Sequence, residues 1–348
     1  MRRLVGIAVV LVIAVLAFVI DLVRDAGGFR TLKPHGLERC VKVPGPTGAE
    51  DLVFDADSGL VLISSQDFRE LEHAGGLWAF DPAKGGAPVP VANDFPGALH
   101  PHGLGLWRGA DGQRRLFVVH HPTRLDSRVE IFALEPGPSL RHLKTVDDPL
   151  MVSLNDVAPV GPEQFYVSMD AATKADTAGR LAETFLRLPL SKVLYFDEGR
   201  GSVVASRFTY ANGVAVSADG RTVFVTESTG RHLVAFARDE KTGALEELAR
   251  TRFPAALDNL AFDEDGRLWL AAHPNMLAFL SHAKDPRERS PSQLFRARFV
   301  APERRFEVDE LGVDDGSGLS GSSIALPLSP SRFLMGSVFE AHLLDCPR

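Results

Sequence analysis

Seven acidic or amide side chains stand in pairs or at matched places along the chain: Glu50 and Asp51, Asn155 and Asp156, Asn212, and Asp258 and Asn259. Carboxylate and amide oxygens are the ligands of a hard cation, and about six to eight of them at roughly 2.3–2.6 Å suit calcium. Two carboxylates balance a divalent charge, while neutral amides add oxygens without further repulsion. Zinc is disfavoured, because it takes Cys and His in a tetrahedral set. Glu50, Asn155, Asn212, Asp258 and Asn259 can supply most of one site. Asp51 and Asp156 follow directly, and neighbouring residues on a strand point to opposite faces, so these two define a second, deeper site. At any one position an Asx turn capping a strand is the more ordinary reading. Recurrence of the same polar types at six strand starts is what favours a ring.

Histidines edge the same positions. His102 lies in "PHG", His120 and His121 in "VVHHPT", and His273 in "AAHPN". A hydrolytic site needs a base that works near neutral pH, and histidine is the natural one. His102 with His121 makes a dyad beside a cation that polarises a carbonyl oxygen. His120 alternates away from its neighbour and reads as structural. No G-x-S-x-G elbow occurs, so acyl transfer through a Ser-His-Asp triad has no support. No glycine-rich phosphate loop occurs either.

The elements that must position these residues repeat. Six segments begin with a short polar group, then run through an apolar stretch, a turn and a second β-rich stretch. They start at residues 50, 102, 155, 212, 258 and 322, with spacings of 52, 53, 57, 46 and 64. Each reads as a hairpin, as in "NGVAVSADGRTVFVTES", with D-x-G, A-D-G or E-D-G turns in several. Further strand-like pieces such as "RVEIFAL" and "HLVAFAR" lie between hairpins. Six units of this length with about four short strands each predict an all-β, six-bladed β-propeller. Its innermost strands bring Glu50, Asp51, His102, Asn155, Asp156, Asn212, Asp258, Asn259, Ser322 and Ser323 to one axis. One stretch, "KADTAGRLAETFLRLPL" at 174–190, has the character of a helix and lies where a lid over one face would.

The bulk composition excludes some classes. With 45% apolar and 24% charged residues the chain is globular, and a formal charge of −7 without a basic patch argues against nucleic acid as a partner. Arg2 and Arg3 precede seventeen uncharged residues, Leu4 to Ile20, and Asp21 and Arg24 follow. That run predicts a helix, either an uncleaved anchor, which is favoured, or a secretion signal. Either way the remainder is exported to the periplasmic or extracellular side. The expected organisation is a signal anchor over 1–24, a linker over 25–36 and the propeller over 37–348. Export gives meaning to Cys40 and Cys346, one near each end. A bridge between them would close a loop of about 300 residues, nominally about 5 kcal/mol in the chain-entropy picture. Two separate buried thiols are the other reading.

Beyond these patterns, residues 37–348 resemble the paraoxonase/arylesterase family of calcium-dependent lactonases. The resemblance rests on "GAEDL", "LISS", "PHGL", "VVHHP", "HLKT", "LNDV", "ANG", "DNL", "HPN" and "GSVF". It implies a six-bladed propeller with two calcium ions in its channel and a disulfide between Cys40 and Cys346. It implies that Glu50, Asn155, Asn212, Asp258 and Asn259 hold a catalytic calcium. Asp51 and Asp156, with the backbone carbonyl of Leu104, would hold a structural one. His102 and His121 take the places of the family's histidine dyad, and His273, Tyr210 and Phe339 those of pocket walls. This chain departs at "HPNM", where the family has a glycine after the asparagine, and at "QDFREL" after "LISS". The function expected is hydrolysis of lactones and aryl esters by a carboxylic ester hydrolase tethered to a membrane. A gluconolactonase-type sugar-lactone hydrolase, or a non-catalytic propeller stiffened by calcium that binds a partner, are the alternatives.

Overall fold

The turn residues predicted to fold the hairpins do so. In the A-D-G and E-D-G turns, Gly220 and Gly266 have φ of 73° and 71°, the left-handed region that glycine enters without steric penalty. Val, Ile, Leu and Phe alternate on either side, and the second strand of five of the six hairpins is buried almost throughout, as in Leu268–His273, while Arg114–Thr123 is buried over its middle. A computed structural model describes residues 2–347. Among these, the strands form six antiparallel sheets, five of four strands and one that gains a short parallel fifth.

The innermost strands are Ala49–Asp55, Pro101–Arg108, Leu154–Pro159, Ala211–Val216, Ala256–Phe262 and Ser322–Ser329. Each touches the next around the axis, and the sixth touches the first. The chain is therefore a six-bladed β-propeller, as expected. Its core is divided into six wedges, one between each pair of blades. Leu62 and Leu77 of the first blade, for example, pack with Leu104, Leu116 and Val118 of the second. Burial of large side chains such as Phe117, Phe165 and Phe196 stabilises the wedge between the second and third blades, at about 1.5–3 kcal/mol per fully buried side chain.

The sixth blade is completed from the other end of the sequence. Val41–Pro44 pairs antiparallel with His342–Pro347 in the register Val41 with Asp345 through Pro44 with His342. The adjoining Cys40 and Cys346 form a disulfide across 306 positions, with Cα atoms 4.1 Å apart.

Three helices lie on the face where the inner strands begin, the upper face. Helix α1, Arg2–Asp25, holds a stretch from Val5 to Asp25 long and apolar enough to cross a membrane. Helix α2, Ala178–Phe185, falls inside the predicted 174–190 segment, capped by the Thr177 hydroxyl. Helix α3, Met276–Lys284, follows "HPN", and Asn275 caps it by accepting from the amides of Leu277 and Ala278. Residues 26–36 run across the same face: Arg30 donates to the Pro254 carbonyl at 2.8 Å, and His35 bridges to Val313.

Candidate active site

Every inner strand slips register against its partner near its start. The shifts fall between Ala49 and Asp51, Pro101 and Leu104, Leu154 and Val157, Ala211 and Val214, Leu257 and Leu260, and Ser322 and Ile324. Such bulges re-aim side chains that a regular ladder would turn along the sheet. The residues they release are the polar ones: Glu50, His102, Asn155 with Asp156, Asn212, Asp258 with Asn259, and Ser323. Ser323 donates to the Glu50 carbonyl at 2.6 Å and so ties the sixth blade to the first.

At the channel mouth, Asn259 donates through Nδ2 to Glu50 Oε1 at 2.8 Å, and Asn212 donates through Nδ2 to the Ser228 hydroxyl at 3.0 Å. Both amides thereby present their oxygens elsewhere. Among the described residues, Oε2 of Glu50 and Oδ1 of Asn155, Asn212 and Asn259 are buried and meet no donor. An unpaired buried acceptor costs about 1–3 kcal/mol, so four together make an unstable arrangement unless something fills it. Burial pushes the Glu50 carboxyl well above the usual range, and the neighbouring charges of Asp51, Asp258 and Asp156 push it further. A divalent cation would answer both problems at once, by ligating the free oxygens and cancelling the repulsion. No three His, Cys, Asp or Glu side chains among the described residues are placed to hold a metal by themselves. The donor set is thus one of amides and carboxylates, which fits calcium and not zinc.

One residue further along the strands the carboxylates behave differently. Asp51 accepts from its neighbour Leu52 N–H at 2.8 Å and from Leu104 N–H of the second blade at 2.7 Å. Asp156 accepts from Val157 N–H at 2.7 Å and from Val214 N–H of the fourth blade at 2.8 Å. Glycine opens the space, since a Cβ on Gly103 would stand 2.6 Å from Asp156 Oδ1. Burial raises Asp51 to about 7, and burial with the charge of Asp51 raises Asp156. Each oxygen keeps a further lone pair, so a cation fits here too. Both carboxylates line the inner end of a cavity of about 610 Å³ in the lower half of the channel, walled by Leu106, Val216, Phe262 and Pro327. That cavity faces away from the histidines. Leu104 is held here through its N–H.

The two predicted dyad members meet. His102 Nδ1 and His121 Nε2 are 3.0 Å apart, and His121 Nδ1 lies 3.2 Å from the Ser127 hydroxyl. His102 Nε2 faces Glu50 Oε1 at 3.6 Å. Burial pulls His102 well below the ordinary imidazole value, with His121 adding to it. Burial likewise holds His121 at about 4. Both shifts favour the uncharged ring; with His102 Nδ1 donating to His121 Nε2, the lone pair left free for a proton is that of His102 Nε2. His120 turns the other way, as alternation predicts, and accepts from the His100 amide at 3.1 Å.

The residues expected to wall a pocket come from several blades. His273 Nε2 lies 2.8 Å from Asp258 Oδ2, and its ring packs on Phe279 at 4.2 Å. Phe279 in turn meets Phe339 at 5.4 Å. Tyr210 has φ of 64°, and its phenol is pushed upward by the charge of Asp170 and by burial. Sequence reasoning missed Phe68, whose ring lies 5.2 Å from that of His102. It also missed Arg69, which bonds the carbonyls of Phe339 and His282 at 3.2 and 2.9 Å. Both sit in "QDFREL", the segment already marked as departing from the family pattern. Phe279 and Ser127 carried no signal of their own.

The fold and this ring define a six-bladed propeller that concentrates its polar chemistry at one mouth of the channel. The Arylesterase family model matches residues 90–346. The chain is 31% identical over 335 residues to serum paraoxonase/arylesterase 1 of Mus musculus, covering 90% of each. It is 30% identical over 331 residues to serum paraoxonase/lactonase 3 of Oryctolagus cuniculus, covering 91% of each. A gluconolactonase from Xanthomonas campestris superposes with a TM-score of 0.52 at 16% identity, covering 90% of this chain and 91% of that one, a likeness of fold. The chain belongs to the arylesterase family of hydrolases.

Proposed function

We propose that the protein is a calcium-dependent hydrolase of lactones and aryl esters, with His102 and His121 as its base. One observation carries this reading: four unpartnered buried oxygens of Glu50, Asn155, Asn212 and Asn259 lie beside the paired rings of His102 and His121. Calcium, when bound by these residues and Asp258, supplies a Lewis acid for the substrate carbonyl. His102 takes the proton of the attacking water at Nε2, the nitrogen not turned to His121, and its contact with His121 holds the ring. The water oxygen bonds to the carbonyl carbon, the ring or ester C–O bond breaks, and the proton passes to the departing oxygen. His273, oriented by Asp258, forms a pocket wall with Tyr210 and Phe339. Asp51 and Asp156 hold a second calcium that stiffens the ring. Helix α1 tethers the protein to a membrane on its exported side, where the Cys40–Cys346 disulfide persists.

The test is hydrolysis of γ- and δ-lactones, glucono-lactone and phenyl acetate by the full chain in detergent micelles, with calcium, with chelator, and with His102→Gln. Turnover that needs calcium and falls at least about a hundredfold in the variant is expected. A melting temperature raised by calcium with no turnover on any ester or lactone overturns the enzyme reading. Turnover of the sugar lactone alone moves the substrate class to that of the gluconolactonases.

A further inference from the structure

The lower end of helix α1 is gripped, and the grip reaches the candidate site. Asp25 Oδ1 accepts from Arg231 Nη2 at 2.7 Å, and its Oδ2 accepts from Arg252 Nη2 at 3.1 Å and from Arg187 Nη1. Arg187 also reaches Asp21 at 3.2 Å. Arg187 directly follows the C-cap of α2, while Arg231 and Arg252 belong to the fourth blade. Arg187 and Arg231 both sit in the left-handed region, with φ of 51° and 59°. That backbone costs a non-glycine residue about 1 kcal/mol or more, and glycine would be the cheaper choice. Arginine stands at both places, and both side chains go to one carboxylate. Such outliers persist where the surroundings hold them for a purpose.

From this clamp two short paths lead to the channel mouth. On one side, the Ala26 carbonyl accepts from Met276 N–H, the first residue of α3, at 2.8 Å. Gly27, with φ of 77°, packs so closely on the Pro274 carbonyl that a Cβ would stand 2.0 Å from it. Pro274 adjoins His273, which is bonded to Asp258. On the other side, Arg187 fixes the end of α2. The Glu183 carboxylate of α2 accepts from the amides of Ala172 and Thr173 at 2.9 and 3.1 Å, and Arg180 reaches Asp170 at 3.1 Å and Ser153 at 3.2 Å. Ser153 lies two residues before Asn155.

We propose that Asp25 is a positioning residue: its carboxylate, seated among Arg187, Arg231 and Arg252, locks α1, α2 and α3 into one unit that fixes His273 with Asp258 and the strand start bearing Asn155. The stretch from 21 to 36 is then part of the site's frame as well as the foot of a tether. Its catalytic consequence rests on the proposed hydrolase function, whereas its structural consequence does not.

The experiment is amide hydrogen exchange on the full chain in detergent micelles, wild type against Asp25→Asn and Asp25→Glu, with hydrolysis rates on the same samples. In Asp25→Asn, exchange should quicken in residues 172–190 and 274–284 but not in the channel strands. The turnover number should fall about tenfold, since catalysis is sensitive to displacements near 1 Å. Asp25→Glu should restore most of both. If Asp25→Asn does not fold, Arg187→Gln replaces it and should loosen 172–190 alone. Wild-type exchange in both segments of a folded Asp25→Asn protein overturns the proposal. A protein without any hydrolytic activity leaves the exchange result to decide, so the two readings fail separately.

Discussion

At the upper level of the channel, Glu50, Asn155, Asn212 and Asn259 each keep a buried oxygen without a donor. One residue along the strands, both oxygens of Asp51 and of Asp156 accept backbone N–H groups. The residue types are nearly the same, and the burial is the same. What differs is reach: Asp51 and Asp156 each accept the amide of another inner strand, and the free oxygens of Glu50, Asn155, Asn212 and Asn259 do not. At the lower level the chain itself supplies partners that join the first blade to the second and the third to the fourth, and the proposed second calcium would only add to them. The upper level depends on something the chain does not contain. A propeller ring can thus hold polar groups for cohesion at one depth and for chemistry at the next.

Glu50→Gln presses hardest on this contrast. Turnover should fall by at least about a thousandfold, because the variant removes a charged ligand of the proposed calcium. In chelator, the same variant should melt no lower than wild type, since it relieves repulsion with Asp51, Asp258 and Asp156. A variant that keeps its activity, or that melts much lower without calcium, would erase the distinction between the levels. Asp156→Asn should show the reverse pattern. It turns an N–H donor toward backbone N–H groups, so urea unfolding should register a loss of about 1–3 kcal/mol, with turnover reduced less than in Glu50→Gln. Phe68→Ala is the mildest change. It opens the cover over His102 and should raise KM for aryl esters about tenfold or less, with melting temperature unchanged. A larger effect on turnover number than on KM would mean that Phe68 holds the dyad in place.

Much of this was legible in the sequence, for physical reasons that differ by region. Hairpin turns such as "SADG" announce themselves because glycine takes the required φ at least cost, and apolar alternation gives the strands. Polar residues heading six apolar strands were visible because such a position is costly without a purpose. The register slips that turn them toward the axis were not visible, since a bulge has no fixed residue signature beyond an occasional glycine such as Gly103. Helix α3 was not anticipated: "MLAFLSHAK" is nine residues long, too short for its period to stand out from a strand. Contacts made across the mouth, such as Phe68 on His102 and Arg69 on the Phe339 carbonyl, depend on how distant blades meet. No local pattern encodes them.

The pairing of Val41–Pro44 with His342–Pro347 has a bearing on how such a chain comes to completion. Synthesis delivers the outermost strand of the sixth blade, Val41–Pro44, first, and its partner His342–Pro347 some three hundred residues later. Until then the first arc of the ring waits with an unpaired edge, and five finished blades cannot seal the sixth. A product stopped short of Leu343 therefore lacks the clasp altogether and presents a protease with an open arc. Closure of the ring in this way waits on His342–Pro347, whatever the order in which the other blades settle.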